Sequence, residues 1–312
     1  MKAKGYREVA IIILNYNGLV SLGPRLLYKC LKSVLETRYP SYVVLFVDNG
    51  SRDKSVAFVL RYFEDYFRKG VLEIVKLDKN YGWSGGNNRG AIYAIKKYRP
   101  KFLLFLNNDV YIDDPLWLDR IVRSMNKYGL DLASPLVYER SLGFLVAGNV
   151  IGEYGESKPF IITKTLLDRM RAQGIEIIPS KYLHGATLVV HSHAFKVLGG
   201  FDERFLAYYD ETDFCERAHK HGFRIAAVTV TIVHHYGSAT FRKMQHSLVN
   251  LKTERTVESL LRFVRKHYGF TRMTYAVLNI TKWLLAEACK ANLRKVLAIL
   301  EGLTLGLRNS LR

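Results

Sequence analysis

"VAIIILNYNG" occupies residues 9–18. Its first six residues are apolar and mostly β-branched, with no polar alternation, as in a strand buried on both faces. The run then stops in a polar Asn-Tyr-Asn-Gly cluster. The same pattern recurs along the first half of the chain. "YVVLFV" (42–47) runs into "DNGS" and "FLLFL" (102–106) into "NND", while "VLEIVK" (71–76) supplies a further strand. Helical stretches separate them, at 24–37 behind Pro24, at 53–68, at 88–98 and at 115–128 behind Pro115. Strands alternating with helices predict an α/β fold whose parallel sheet is covered on both faces. Ligands of such sheets bind beyond the carboxyl ends of the strands. Three polar clusters at successive strand ends therefore predict a binding site rather than three unrelated turns.

Composition narrows the class. The chain has 312 residues, 49% of them hydrophobic, which suits one large α/β domain with an extension or two domains. A formal charge of +19 points to an anionic partner. That excess is uneven: Phe241 to Arg312 holds 14 Lys and Arg against 4 Asp and Glu. Cys30, Cys215 and Cys289 lie far apart, with no metal or disulfide spacing, which suits a reducing compartment. The apolar run after the basic start is too short for a signal peptide. No stretch reaches 18 uncharged apolar residues, so no spanning helix is expected.

From about 130 to 235 the pattern loosens. Short strands ("LVAGNV", "ATLVVH", "RIAAVTVTIV") alternate with polar loops, and 156–181 reads as an insert. The chemistry-bearing residues stand out against this background. Asp48 follows a buried strand, where it suits either a nucleobase or ribose hydroxyl or a helix cap shared with Ser51 and Asp53. Asn107, Asn108 and Asp109 end another strand with oxygen ligands suited to a hard divalent ion on phosphate oxygens. Asp113 and Asp114 read instead as caps before Pro115. Asp210, Glu211 and Asp213 form the densest acidic cluster of a basic protein. Neighbouring carboxylates raise one another's pKa, which suits a general base, although acids also favour a helix start. His234 or His235, after an apolar strand, suits a metal or a phosphate. "GWSGGNNRGA" (82–91) places three glycines before a helical run, where the backbone bends or something approaches closely.

Taken in order, "VAIIILNYNG", "FVDNGSRDKS", "NYGWSGGNNRG", "LFLNNDV", "GATLVVHSHAFKVLGGFDERFLAYYDETDFCERAHKHG" and "VHHYGSAT" resemble the family 2 inverting glycosyltransferases, closest to the rhamnosyltransferase-like subgroup. The resemblance covers roughly residues 8–240. It implies a GT-A fold with a Rossmann-like nucleotide-binding half and a mixed central sheet, here with a helical C-terminal extension. It implies a nucleotide-diphosphate-sugar donor, held by Asn15, Tyr16, Asp48, Asn80, Gly85, Gly86, Asn87 and Asn108. A divalent cation, Mg²⁺ or Mn²⁺, falls to Asp109 with His234 or His235. The first position of the acidic metal motif is Asn107. The family's base belongs to an acidic pair, Glu then Asp, with a further Asp after one residue. Here the pair is reversed, Asp210 then Glu211; register favours Glu211, and Asp213 falls to the acceptor. In the glycine-rich stretch, Gly85 and Gly86 are expected to admit the donor, and Gly90 to pack helix on strand.

The resemblance thus implies a catalytic domain over 1–240, and the sequence a basic, amphipathic helical region over 241–312. In that region Met273, Val277, Ile280, Leu284 and Ala288 form one apolar stripe, and Leu293, Val296, Leu297, Leu300, Leu303 and Leu307 another. Such stripes pack internally or seat on an anionic membrane surface. The expected acceptor is a glycan or lipid-linked saccharide, and the expected location is cytoplasmic, peripheral on the inner face of the cell membrane. Nucleic acid is excluded, because charge alone does not account for the acidic cluster. The alternative is a nucleotide-sugar-binding protein whose active site has decayed, since Asn107 and the reversed pair depart from the family pattern.

Overall fold

In the computed structural model, which describes residues 7–205, 207–237 and 247–310, the opening apolar run forms β1 (Val9–Asn15). It lies between β2 (Tyr42–Asp48) and β4 (Phe102–Asn107), parallel to both, with β3 (Leu72–Lys76) outside β2. Successive side chains of a strand point to opposite faces. Ile11 and Ile13 therefore meet Leu27 and Leu31 of one helix, Pro24–Leu35, and Trp117 and Ile121 of another, Trp117–Tyr128. Ala10 and Ile12 meet Ala91 and Ala94 of the helix Gly82–Tyr98 on the other side. From Val9 to Ile13 both faces of β1 are fully buried, which is why its sequence shows no alternation.

The second half closes the sheet differently. β10 (Thr187–His191) runs antiparallel to β4, followed by β6 (Leu132–Glu139) and β11 (Ile225–His235), which are parallel to each other. A short β5 (Val110–Tyr111) pairs with the end of β11, bringing "NND" beside His235. β7 (Phe144–Ile151), β8 (Ser157–Ile162) and β9 (Ile177–Pro179) complete a mixed sheet of 11 strands. The expected insert at 156–181 is thus β8, a helix (Lys164–Ala172) and β9. The stretch expected as one helix at 53–68 is two, Ser55–Tyr62 and Glu64–Arg68.

The glycine-rich segment corrects an expectation. The helix expected from 88 begins at Gly82, so the glycines lie inside its first turns. A Cβ at Gly86 would overlap Leu14, and one at Gly90 would come within 2.8 Å of Val47 and 2.9 Å of Ile12. These two glycines let the helix lie directly on β1 and β2. At Gly85 the neighbours are Tyr81, Arg89 and Glu203 rather than open space. A close neighbour was correctly inferred, but at Gly86 it is the sheet.

The C-terminal helices also depart from the expected stripes. Ser247–Cys289 is broken at Gly269, whose φ of 82° lies in the left-handed region. Met273 and Ile280 are buried against the main core, as the first stripe predicts, while Ala288 is exposed. In the last helix, Leu293–Ser310, the buried face is Ala298, Ile299, Gly302 and Gly306. Gly302 lies against Glu254 and Val257, and Gly306 against Leu261. Small residues there allow close helix approach, and Leu293, Leu297 and Leu300 are left exposed. Among the described residues no helix is long and apolar enough to cross a membrane.

Candidate active site

The ends of β1, β2, β4 and β11 and the start of the helix Asp210–Lys220 surround a cavity of about 520 Å³. Tyr16, Asn80, Asn108, Asp109, Asp210, Glu211 and His235 are in its wall. Beneath them, polar side chains hold the strand ends in place. Asn15, fully buried and opposite Asp48 in the β1–β2 register, accepts a hydrogen bond from Asn108 Nδ2 at 3.0 Å. Its own amide donates to Ser51 Oγ at 3.3 Å and to Asp48 Oδ1 at 3.5 Å. Asn15 and Asp48 therefore support the wall and do not form it. Asn80 is fixed by Asn49, whose amide donates to Asn80 Oδ1 at 2.9 Å.

Asp109 and His235 meet because β5 pairs with β11. His235 Nε2 lies 3.1 Å from Asp109 Oδ1, and its Nδ1 contacts Glu139 Oε1. Burial works against a charged ring, but the two carboxylates outweigh it and push the His235 pKa up to about 10. His184 stands beside them, its Nε2 3.7 Å from Glu139. Burial and the neighbouring His235 lower its pKa to about 4, so this ring is neutral. Glu139, His184 and His235 present ligand atoms within 4.8 Å of one another. The Ala186 amide donates to His184 Nδ1, which places that ring's proton on Nε2. Asp109 adjoins this set through His235 but is not one of the three whose ligand atoms converge.

His234 goes elsewhere, because neighbours on a strand face opposite sides. It stacks on Tyr111 with ring centroids 4.7 Å apart, and its Nε2 lies 3.1 Å from Asp113. The expected metal role for His234 is therefore not supported by its position. Glu139 and His184 were missed by sequence reasoning. Glu139 ends β6 opposite His235 in the parallel register, a strand-end position that only the topology reveals.

Asp210 and Glu211 also line the cavity, at the start of their helix. Tyr208 and Tyr209, just before, both have positive φ (65° and 63°), a costly conformation for such residues that persists only where surroundings enforce it. Asp210 is 4% exposed and accepts from Ser84 Oγ at 2.7 Å. Burial and the Glu211 charge raise its carboxyl well above the ordinary range. Glu211 is half-buried over Gly185, and burial raises its pKa too. Trp83, also unforeseen, reaches the cavity and donates from Nε1 to Asn107 Oδ1 at 3.1 Å. Gly85, Gly86 and Asn87 do not reach it; Asn87 is buried inside the helix that bears it.

Asp213, expected at the acceptor, is fully buried away from the cavity. One turn into the helix, it accepts from Lys266 Nζ at 2.6 Å and Arg217 Nε at 2.8 Å, and lies 2.7 Å from His267 Nε2. It fastens the helix Ser247–Cys289 to the helix Asp210–Lys220. Burial opposes its charge, yet His267, Arg217 and Lys266 hold its carboxyl below the ordinary aspartate range. A depressed folded-state pKa contributes stability at neutral pH that is lost as pH falls through the folded value. Asp213→Asn is expected to cost about 3–5 kcal/mol at neutral pH, and less on acidification. Denaturant melts at several pH values check this; an unchanged midpoint at neutral pH would contradict it.

The family model described as glycosyl transferase family 2 matches residues 10–181. The chain is 28% identical over 235 residues to the O-antigen biosynthesis protein RfbC of Myxococcus xanthus, covering 70% of this chain and 17% of that one. It is 25% identical over 226 residues to the low-salt glycan biosynthesis hexosyltransferase Agl10 of Haloferax volcanii, covering 72% and 65%. The chain thus spans less than two thirds of either relative. Among solved structures, the mannosyltransferase PcManGT from Pyrobaculum calidifontis, in complex with GDP-Man and Mn²⁺, aligns with a TM-score of 0.58 at 14% identity, over 97% of this chain and 88% of that one. GalNAc-T7 with UDP, GalNAc and Mn²⁺ aligns with a TM-score of 0.56 at 16% identity, over 73% and 42%. These likenesses establish the mixed α/β fold as GT-A.

Proposed function

This chain belongs to glycosyl transferase family 2, and from that premise we propose that it transfers a sugar from a nucleoside-diphosphate donor to a hydroxyl of a glycan or lipid-linked acceptor, with inversion. The observation that supports this best is one cavity lined both by a carboxylate–imidazole cluster and by two neighbouring carboxylates, Asp210 buried and Glu211 half-buried. Tyr16, 42% exposed at the end of β1, is placed to stack on the nucleobase. Asn108 and Asp109 face the diphosphate, while Trp83 and Asn107 bound the sugar. Glu139, His184 and His235, with Asp109 beside them, would hold a divalent cation, which when bound neutralises the diphosphate leaving group. A set mixing imidazole with carboxylates suits Mn²⁺ better than Mg²⁺.

Glu211 takes the proton from the acceptor hydroxyl. The hydroxyl oxygen forms its bond to the anomeric carbon as the bond to the diphosphate oxygen breaks, and the nucleoside diphosphate leaves. Asp210, buried and accepting from Ser84, orients the start of the helix.

A panel of nucleotide-sugars with Mn²⁺ tests the donor. One that binds only the folded protein, at about 100 times its Kd, is expected to stabilise it by roughly 2.7 kcal/mol, read as a raised Tm. No shift with any donor would contradict the reading. We also place the protein at an anionic membrane surface. Exposed Leu293, Leu297 and Leu300, with exposed Arg294 among them, support this. Co-sedimentation with anionic vesicles, weakened by salt, is the expected result; indifference to such vesicles at low salt would refute the placement.

A further inference from the structure

A second cavity, of about 680 Å³, lies beyond the acidic pair. It shares Tyr208 and Glu211 with the first, so the same carboxylate borders both. Besides Tyr209 and Thr212, its walls come from the β7–β8 hairpin and from the C-terminal helix Ser247–Cys289, which contributes Lys252, Asn279, Lys282 and Trp283. On the reading that Glu211 is the base, we infer that this second cavity is the acceptor subsite, and that it takes an anionic saccharide: a sugar bearing a phosphate or a carboxylate.

Position and charge support this together. A base must touch the hydroxyl it deprotonates while the donor fills the other side, and Glu211 is the carboxylate common to both cavities. Lys252 and Lys282 line the second cavity, and neither makes an ion pair among the described residues. Lys252 Nζ lies 5.7 Å from the Tyr208 ring, next to the shared boundary. Glu156, the other acid in the wall, is already engaged, 3.4 Å from Lys158 Nζ and accepting from the Tyr154 amide at 3.1 Å. With Glu156 already engaged, Lys252 and Lys282 outnumber Glu211, the remaining carboxylate of the wall, so an anionic group gains attraction there that a neutral sugar does not. The half-buried indole of Trp283 offers a flat apolar surface to a sugar ring, and Asn279 both donates and accepts for its hydroxyls. The C-terminal helices thus belong to the site rather than being an appendage to it.

Glucose 1-phosphate, glucuronic acid and neutral methyl glucoside, titrated onto the full chain by saturation-transfer NMR, test the inference. At least one of the two anionic sugars is expected to bind about tenfold more tightly than the neutral one, a difference of about 1.4 kcal/mol. The double variant Lys252→Gln/Lys282→Gln should abolish that preference, and Trp283→Ala should weaken all three sugars. Asp109→Ala, in the donor cavity, should change none. Preference for glucose 1-phosphate identifies a phosphate-bearing acceptor, and preference for glucuronic acid a carboxylated one. Equal binding of charged and neutral sugars, no binding of any, or a preference untouched by the lysine changes would overturn the inference. If Asp109→Ala alone removes the preference, the anion sits in the donor cavity; the inference then fails while the donor reading stands.

Discussion

Glu211→Gln is expected to lower turnover about 10³-fold, within the range typical of a lost general base, while donor binding stays near wild type. The amide keeps the shape of the side chain and loses only its ability to take a proton. Glu211 is favoured over Asp210 because it is the more accessible carboxylate and borders both cavities, whereas Asp210 is sealed and engaged by Ser84. The raised pKa of Glu211 adds a second signature. The base acts as an anion, so activity should fall on acidification at a pH above the ordinary glutamate range. Steady-state kinetics across pH measures both. Near wild-type turnover in Glu211→Gln, with Asp210→Asn inactive, would transfer the role to Asp210.

Asp109→Ala is expected to lose several kcal/mol of transition-state stabilisation, or about 10³-fold in activity, and to respond weakly to added Mn²⁺. EDTA should silence the wild type, and Mn²⁺ should restore it. His235→Ala should resemble Asp109→Ala. His234→Ala should retain activity within about threefold, because its ring is held by Tyr111 and Asp113 on the other side of the strand. Activity assays on the three variants, with metal titrated, separate these outcomes. Full activity in a protein stripped of metal would refute the assignment, and equal losses at His234 and His235 would refute the geometry.

The sheet's first half was legible because β1, β2 and β4 are apolar throughout, a pattern with few alternative readings. β6 was not. "LASPLVYE" carries Pro135, which lacks the N–H that a central strand uses. The structure accommodates it where β11 shifts register, between Val228 opposite Pro135 and Ile232 opposite Leu136. Missing that strand meant missing Glu139 at its end. The helix is expected only from 88 because propensity disfavours glycine in helices, and packing on Leu14, Ile12 and Val47 overrides that in its first turns. The acidic helix start was legible as a cluster, but spacing could not separate Glu211, which faces the cavities, from Asp213, which is buried among cations. In the last helix the leucine pattern competed with Gly302 and Gly306, and close approach of the helices settled which face is buried.

The proposed reaction is a direct displacement, in which an acceptor hydroxyl deprotonated at Glu211 attacks the donor's anomeric carbon. Proton NMR of the first-formed product, from a nucleotide-sugar of known anomeric configuration with Mn²⁺ and an acceptor, tests it most directly. An α-linked donor is expected to yield a β-linked product, and Glu211→Gln almost none. An α-linked product, or transfer that proceeds equally well in Glu211→Gln, would contradict it.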